Sequence, residues 1–132
     1  MTGEPSLDAV ADACCRVFLG WRLREDRDAL LALGEGRLEI DLLREEAWCD
    51  GDPLPPLFIA NALRDTLIRN LAALGIELQN LDAARLDAEF ARRDVRRRGR
   101  TKPSLQATCR VSLRIGGVEY AADMHNMVDA AR

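Results

Sequence analysis

The sequence has few of the residues from which common active sites are built. Its 132 residues include one histidine, His125, and four cysteines with no Cys-x-x-Cys pair, and only 5% are aromatic. A zinc site needs closely spaced cysteine and histidine ligands, so this spacing argues against one. No phosphate-binding glycine pattern is present, because Gly34 and Gly36 precede a predicted strand instead of joining a strand to a helix. The sequence therefore predicts neither a metal nor a cofactor.

Segments that would direct the chain to a membrane are also missing. The first residues, Met1 to Asp8, are acidic, whereas a signal peptide starts with basic residues and continues with an apolar run. No apolar stretch reaches the roughly 18 residues needed to cross a bilayer. With no sign of export, the four cysteines are expected to be reduced thiols that pack as small hydrophobic side chains. We expect a cytoplasmic protein without a membrane partner.

The length and apolar content suit a single domain over residues 1–132. This is close to the commonest domain size, and 48% hydrophobic residues can supply a core. Apolar residues recur every three or four positions in some segments, as in helices, and every two in others, as in strands. Helices are predicted over 7–21, 26–33 and 55–74, and strands over 37–42, 47–50, 85–95, 105–115 and 118–124.

The resulting order, α-α-β-β-α-β-β-β, predicts an α+β fold with helices packed on one face of an antiparallel sheet. Residues 85–95 alternate as a strand does, although their composition also suits a helix; the strand is preferred because the next segment offers it a partner. This element order resembles that of the cone-shaped α+β fold of the nuclear transport factor and ketosteroid isomerase type. The resemblance implies a pocket between the sheet and the helices.

The last two strands are joined by a turn that fixes their register. Gly116-Gly117 is typical of a two-residue hairpin turn, in which both residues need a positive φ. Counting back from this turn places two pairs of oppositely charged residues on the outer face, and this agreement supports the register. The predicted pairs are Ile115 with Val118, Arg114 with Glu119, Arg110 with Asp123 and Thr108 with His125.

The most unusual segment is strongly basic. Residues 92–102 carry seven basic groups and one acid, a net charge of +6, so the other 121 residues carry −9 within a total of −3. Residues 96–103 are expected to form a flexible basic hairpin loop, because they have little apolar surface to bury. The groups expected to dock an acidic protein partner are Arg96, Arg97, Arg98, Arg100 and Lys102. A solvated loop without a partner is the alternative, and nucleic acid is disfavoured because the segment has no aromatic residue to stack on bases.

No group of residues predicts catalysis. His125 has the only side chain with an unperturbed pKa near neutrality, but no nucleophile motif accompanies it, so a structural role is preferred. Four aromatic residues could line a ligand pocket, although a place in the core is favoured for them. They are Phe18, Trp21, Trp48 and Phe58.

Two hypotheses for the function follow. The first is a cytoplasmic accessory protein without catalytic activity that acts through protein–protein interaction, with the basic segment docking an acidic partner or with the chain forming a homodimer. The second is a small-ligand-binding protein or enzyme with a pocket between the sheet and the helices. A filled core would favour the first, and a buried polar cavity would favour the second.

Overall fold

A computed structural model describes residues 6–25, 36–54 and 58–129. Helix α1 covers Leu7–Glu25, α2 covers Phe58–Ala72, and a short 3₁₀ helix covers Leu78–Asn80. The strands are β1 (Gly36–Asp41), β2 (Glu46–Cys49), β3 (Asp52–Pro53), β4 (Ala83–Arg97), β5 (Arg100–Ile115) and β6 (Val118–Asp129). Within the described ranges, no helix is long and apolar enough to cross a membrane. The predicted helix over 26–33 lies outside these ranges.

The six strands form one antiparallel sheet in the order β3-β2-β1-β4-β5-β6. Buried side chains of both helices share one core with the inward side chains of the sheet, which confirms the predicted α+β fold with helices on one face. Residues 85–95 belong to β4, so the strand interpretation is confirmed. The two-residue strand β3 was not predicted; it lies at the sheet edge, where a proline such as Pro53 is tolerated.

Local signals place the ends of both helices. The Oγ of Ser6 accepts a hydrogen bond from the backbone N–H of Ala9 at 3.2 Å, as expected of a residue that caps α1. After α2 the chain reverses at Gly75, which has a φ of +72°. The N–H of Ile76 then donates to the carbonyl of Leu71 at 3.0 Å, satisfying an acceptor near the helix end.

The predicted register of β5 and β6 is confirmed. Ile115 lies opposite Val118, and the pairing continues through the three other predicted pairs. Gly116 and Gly117 have φ values of 58° and 79°, as a two-residue turn of this kind needs. Val118 follows the turn directly, at the margin of the sheet, and is 51% exposed, so it adds little to the core.

One core joins α2 to the long strands. Five residues of α2 and β5 are fully buried in this shared core; they are Leu63, Leu67, Leu71, Val111 and Leu113. On α1 the buried stripe contains Val10, Cys14 and Phe18, as predicted from their spacing. Cys15 and Leu19 broaden that stripe, so α1 presents a wider apolar face to the sheet than the sequence pattern indicated.

The basic segment is more regular than expected. A loop was predicted over 96–103, but β4 continues to Arg97 and β5 begins at Arg100, so the connection is only Arg98-Gly99. Both turn residues have a positive φ, 51° for Arg98 and 74° for Gly99. Such a tight turn matches the twist of the two strands and lets their pairing continue to the tip. The long loop is therefore replaced by a β-hairpin with a two-residue turn.

Candidate functional site

Charged side chains occupy the face of the sheet that the helices leave uncovered. Strand residues alternate between the two faces, so outward residues of β1, β4, β5 and β6 lie side by side across the sheet. The Arg37 Nη2 atom lies 3.2 Å from Asp87 Oδ1, and the Arg110 Nη1 atom lies 2.9 Å from Asp123 Oδ2. Three of these four side chains are at least half exposed, and the fourth, Asp87, is 36% exposed. Each ion pair therefore contributes little to stability.

A cleft of about 440 Å³ lies over these ion pairs. The outward side chains that line it are Arg37, Asp87, Glu89, Thr108, Arg110 and Asp123. Two cations and three carboxylates can bind a polar surface or molecule through ion pairs and charge-assisted hydrogen bonds. Within the described residues, no three histidine, cysteine or acidic side chains are grouped as metal ligands.

The structure separates two of the aromatic residues that were considered as pocket-lining. Phe18 is 1% exposed in the core between α1 and the sheet. Trp48 lies opposite Glu39 in the β1–β2 register and is half-buried on the outer face. The side chains of Trp21 and Phe58 lie outside what the structure describes, as does the side chain of His125. Phe18 and Trp48 thus lie on opposite sides of the sheet and line no common pocket.

The β4–β5 hairpin extends past the part of the sheet that β1 covers. Pairing between β1 and β4 ends at Gly36 opposite Phe90, whereas β4 and β5 remain paired to Arg97 opposite Arg100. Within the described ranges, no strand lies on the β1 side of β4 from residue 91 to residue 97, while β5 pairs with its other side. We call the paired segment 91–106 the basic arm. A strand edge that no other segment covers offers backbone donors and acceptors that another strand can use.

The tip of the basic arm presents arginine at its turn. Arg98 and Arg100 are both exposed. The side chains of Arg96, Arg97 and Lys102, the other predicted docking residues, lie outside what the structure describes, but their backbones are paired in the hairpin. The five groups are therefore brought to one end of the molecule by two paired strand ends and one turn.

A cluster of buried thiols lies where α1 packs against β5. Cys14 and Cys15 on α1 and Cys109 on β5 are all buried, as expected of cysteines that pack as hydrophobic side chains, and Cys49 is half-buried. The Sγ atom of Cys109 donates to the Sγ atom of Cys15 across 3.7 Å, which lowers the pKa of Cys15 and raises that of Cys109. Burial, followed by the neighbouring charge of Cys15, raises the pKa of Cys14 to about 12.

Comparisons with protein-family models, curated proteins and solved structures give no match. The site is therefore defined by this chain alone. Sequence reasoning found the Arg110–Asp123 pair from the hairpin register but missed the rest of the cleft. Arg37 and Asp87 are 50 positions apart and meet because β1 pairs with β4, an arrangement without a local sequence signal.

Proposed function

We propose that this chain is a non-enzymatic accessory protein that binds an extended acidic segment of a partner protein along its basic arm. The observation that carries the proposal is Arg98, an exposed arginine in the left-handed region at a two-residue turn, with a φ of 51°. Asparagine, aspartate or glycine suits that position better, since a left-handed φ costs other residues roughly 1–2 kcal/mol. A positive charge at the tip is therefore present against the local preference of the backbone.

The edge of β4 gives the same arm a way to hold a partner. An extended peptide can add to a free sheet edge through main-chain hydrogen bonds, and its side chains then meet those of the edge strand. Residues 92–102 carry a net charge of +6, so acidic side chains on the added strand would be favoured. Backbone pairing supplies affinity in this arrangement, and the arginines supply the choice of partner.

A small-ligand function has weaker support. The predicted pocket between the sheet and the helices coincides with side chains that are fully buried in the core, among them Phe18, Leu63 and Leu86. The cleft of about 440 Å³ lies on the opposite face and is open to solvent between exposed ion pairs. Its volume falls within the range of ligand sites and Cys109 and Met124 contribute to its lining, but the other six lining residues are polar or charged, whereas most ligand sites are lined mainly by apolar side chains.

The test measures binding of a short fluorescent peptide of alternating glutamate and valine by anisotropy. The test variant changes Arg98, Arg100 and Lys102 to Ser, and the matched control changes Arg44, Arg69 and Arg114, which are exposed elsewhere. Exposed charge pairs contribute roughly 0.2–1 kcal/mol each, so the test variant should bind about threefold more weakly or worse. Added salt should weaken binding of the unmodified chain in the same way.

Arg98 itself gives a sharper comparison. Arg98→Asn suits the turn and should raise the urea midpoint while weakening peptide binding, whereas Arg98→Lys keeps the charge and should keep the binding. Absence of peptide binding, or equal weakening in the control variant, would overturn the proposal. Tighter binding to single-stranded DNA than to the acidic peptide would also overturn it, in favour of nucleic acid. Binding to a second copy of this chain, competed by the peptide, would identify the acidic partner as the chain itself.

A further inference from the structure

The three buried cysteines have no part in the proposed binding at the basic arm. Two of them, Cys15 and Cys109, are 94 positions apart in sequence, and their sulfur atoms are in van der Waals contact at 3.7 Å. Cys15 is 0% exposed and Cys109 is 2% exposed. A disulfide bond is about 2.05 Å long, so each sulfur needs to move by less than about 1 Å to form one.

We infer that Cys15 and Cys109 form a site of reversible oxidation, at which a small peroxide converts the two thiols into a disulfide that joins α1 to β5. The position of Cys15 supports this assignment. Its Sγ lies 3.5 Å from the carbonyl oxygen of Ala122 on the edge strand β6, and Ala122 and Met124 there are only half-buried. The sulfur therefore lies beside the edge strand, where a local opening between α1 and β6 would admit hydrogen peroxide, which is close to water in size.

The electrons and atoms balance with peroxide as the oxidant. The Cys15 thiolate attacks one peroxide oxygen; an S–O bond forms, the O–O bond breaks and hydroxide leaves, which takes up the proton released by the thiol. The Cys109 sulfur then attacks the sulfenic sulfur of Cys15; the S–S bond forms, the S–O bond breaks and the hydroxyl leaves as water with the Cys109 proton. The two thiols lose two electrons, and the peroxide becomes two molecules of water.

The hydrogen bond between the two sulfurs favours one order of these steps over the other. Because Cys109 donates to Cys15, the thiolate is favoured on Cys15, which is the nucleophile of the first step. Cys14 is a poor competitor, since burial keeps its thiol protonated. Cys14 and Cys15 are also adjacent within a helix, where the spacing needed for a disulfide between them is not available.

The experiment treats the full chain in its folded state with hydrogen peroxide, blocks the remaining thiols under denaturing conditions and maps the linked peptides by mass spectrometry. After digestion with trypsin, the expected product has lost two hydrogen atoms and links the peptide that contains Cys109 to the peptide that ends at Arg16. Cys14 and Cys15 share that peptide, so fragment ions from cleavage between these two residues assign the bond in the unmodified chain, and matched variants check the assignment. Cys14→Ala should still form the link, whereas Cys15→Ala should abolish it and leave Cys109 as a thiol.

A physical readout accompanies the mapping. The disulfide closes a long loop, so the oxidised chain should unfold at a higher urea concentration than the reduced chain, and dithiothreitol should reverse this shift. Oxidation of Cys49 alone, with Cys15 and Cys109 recovered as thiols, would overturn the inference. A link from Cys14 to Cys109 in the unmodified chain would overturn it equally. Because mapping uses the unmodified chain, poor folding of a variant would not decide the result.

Discussion

The β5–β6 turn depends on the absence of a Cβ atom at Gly117. Its φ of 79° is accessible to glycine, whereas a β-branched side chain resists it. A Cβ placed there would meet no atom within 4 Å, so any loss in Gly117→Val comes from backbone strain and not from a clash. We expect a decrease of about 1–3 kcal/mol in the free energy of unfolding, measured by urea denaturation.

Gly20 offers the matched control for this change. It lies inside α1, its φ is not positive, and an added Cβ would also meet no neighbouring atom within 4 Å. Gly20→Ala should keep or raise stability by up to about 1 kcal/mol, because alanine favours the helix. If Gly117→Val proved as stable as the unmodified chain, the turn conformation would be wrong.

Leu67 and Ile68 are neighbours on α2 with opposite environments. Leu67 is 0% exposed and contacts the shared core, whereas Ile68 is 42% exposed. Leu67→Ala should therefore cost about 2–5 kcal/mol of unfolding free energy, and Ile68→Ala should cost about 0.5 kcal/mol or less. Urea denaturation of both variants checks this contrast, and similar losses in the two would mean that the buried face of α2 is misassigned.

At the scale of elements, strand pairing could be predicted only where a turn motif in the sequence marked it. The β5–β6 hairpin was predictable to the residue because Gly116-Gly117 both closes the turn and sets the register. The β4–β5 hairpin has the same kind of turn, yet Arg98 conceals it, since arginine is not typical of a left-handed position. Pairing of β1 with β4 joins distant segments, so no pattern in the sequence indicated the cleft that this pairing forms.

The basic arm should be unnecessary for folding. Its tip residues Arg98, Gly99, Arg100 and Thr101 are exposed, and the core residues that the structure describes lie in other parts of the chain. Changing Arg96, Arg97, Arg98, Arg100 and Lys102 to Ser should therefore leave the midpoint of thermal unfolding nearly unchanged, as followed by circular dichroism. A variant that fails to fold would show that these cations stabilise the acidic remainder of the chain.

At the scale of the whole molecule, charge and apolar surface are segregated. The core fills the side of the sheet beneath the helices, ion pairs cover the other side, and the positive excess lies at one end. Substitutions that change the charge of the exposed tip residues Arg98 and Arg100 should therefore leave the core undisturbed. Substitutions at Arg98 or Arg100 and substitutions in the core, such as Leu67→Ala, should therefore have additive effects on stability.

The same segregation predicts how the whole chain reacts with a bulky thiol reagent. Cys49 is half-buried, whereas Cys14, Cys15 and Cys109 lie in the core, where such a reagent reaches them only when the structure opens. With dithionitrobenzoate, one thiol should react early and three should react together at a rate that rises with urea as global unfolding does.

Burial, and then the charges of Asp50 and Asp52, raise the pKa of Cys49 above its ordinary value. Because only the thiolate reacts, the early phase of Cys49 should be slower at neutral pH than that of an ordinary thiol. Its rate should still be rising at a pH at which the rate of an ordinary thiol has levelled off. Cys49→Ser should remove the early phase and leave the three slow thiols unchanged. Reaction of a core thiol as fast as Cys49, without urea, would show that α1 leaves the sheet far more often than its buried contacts predict.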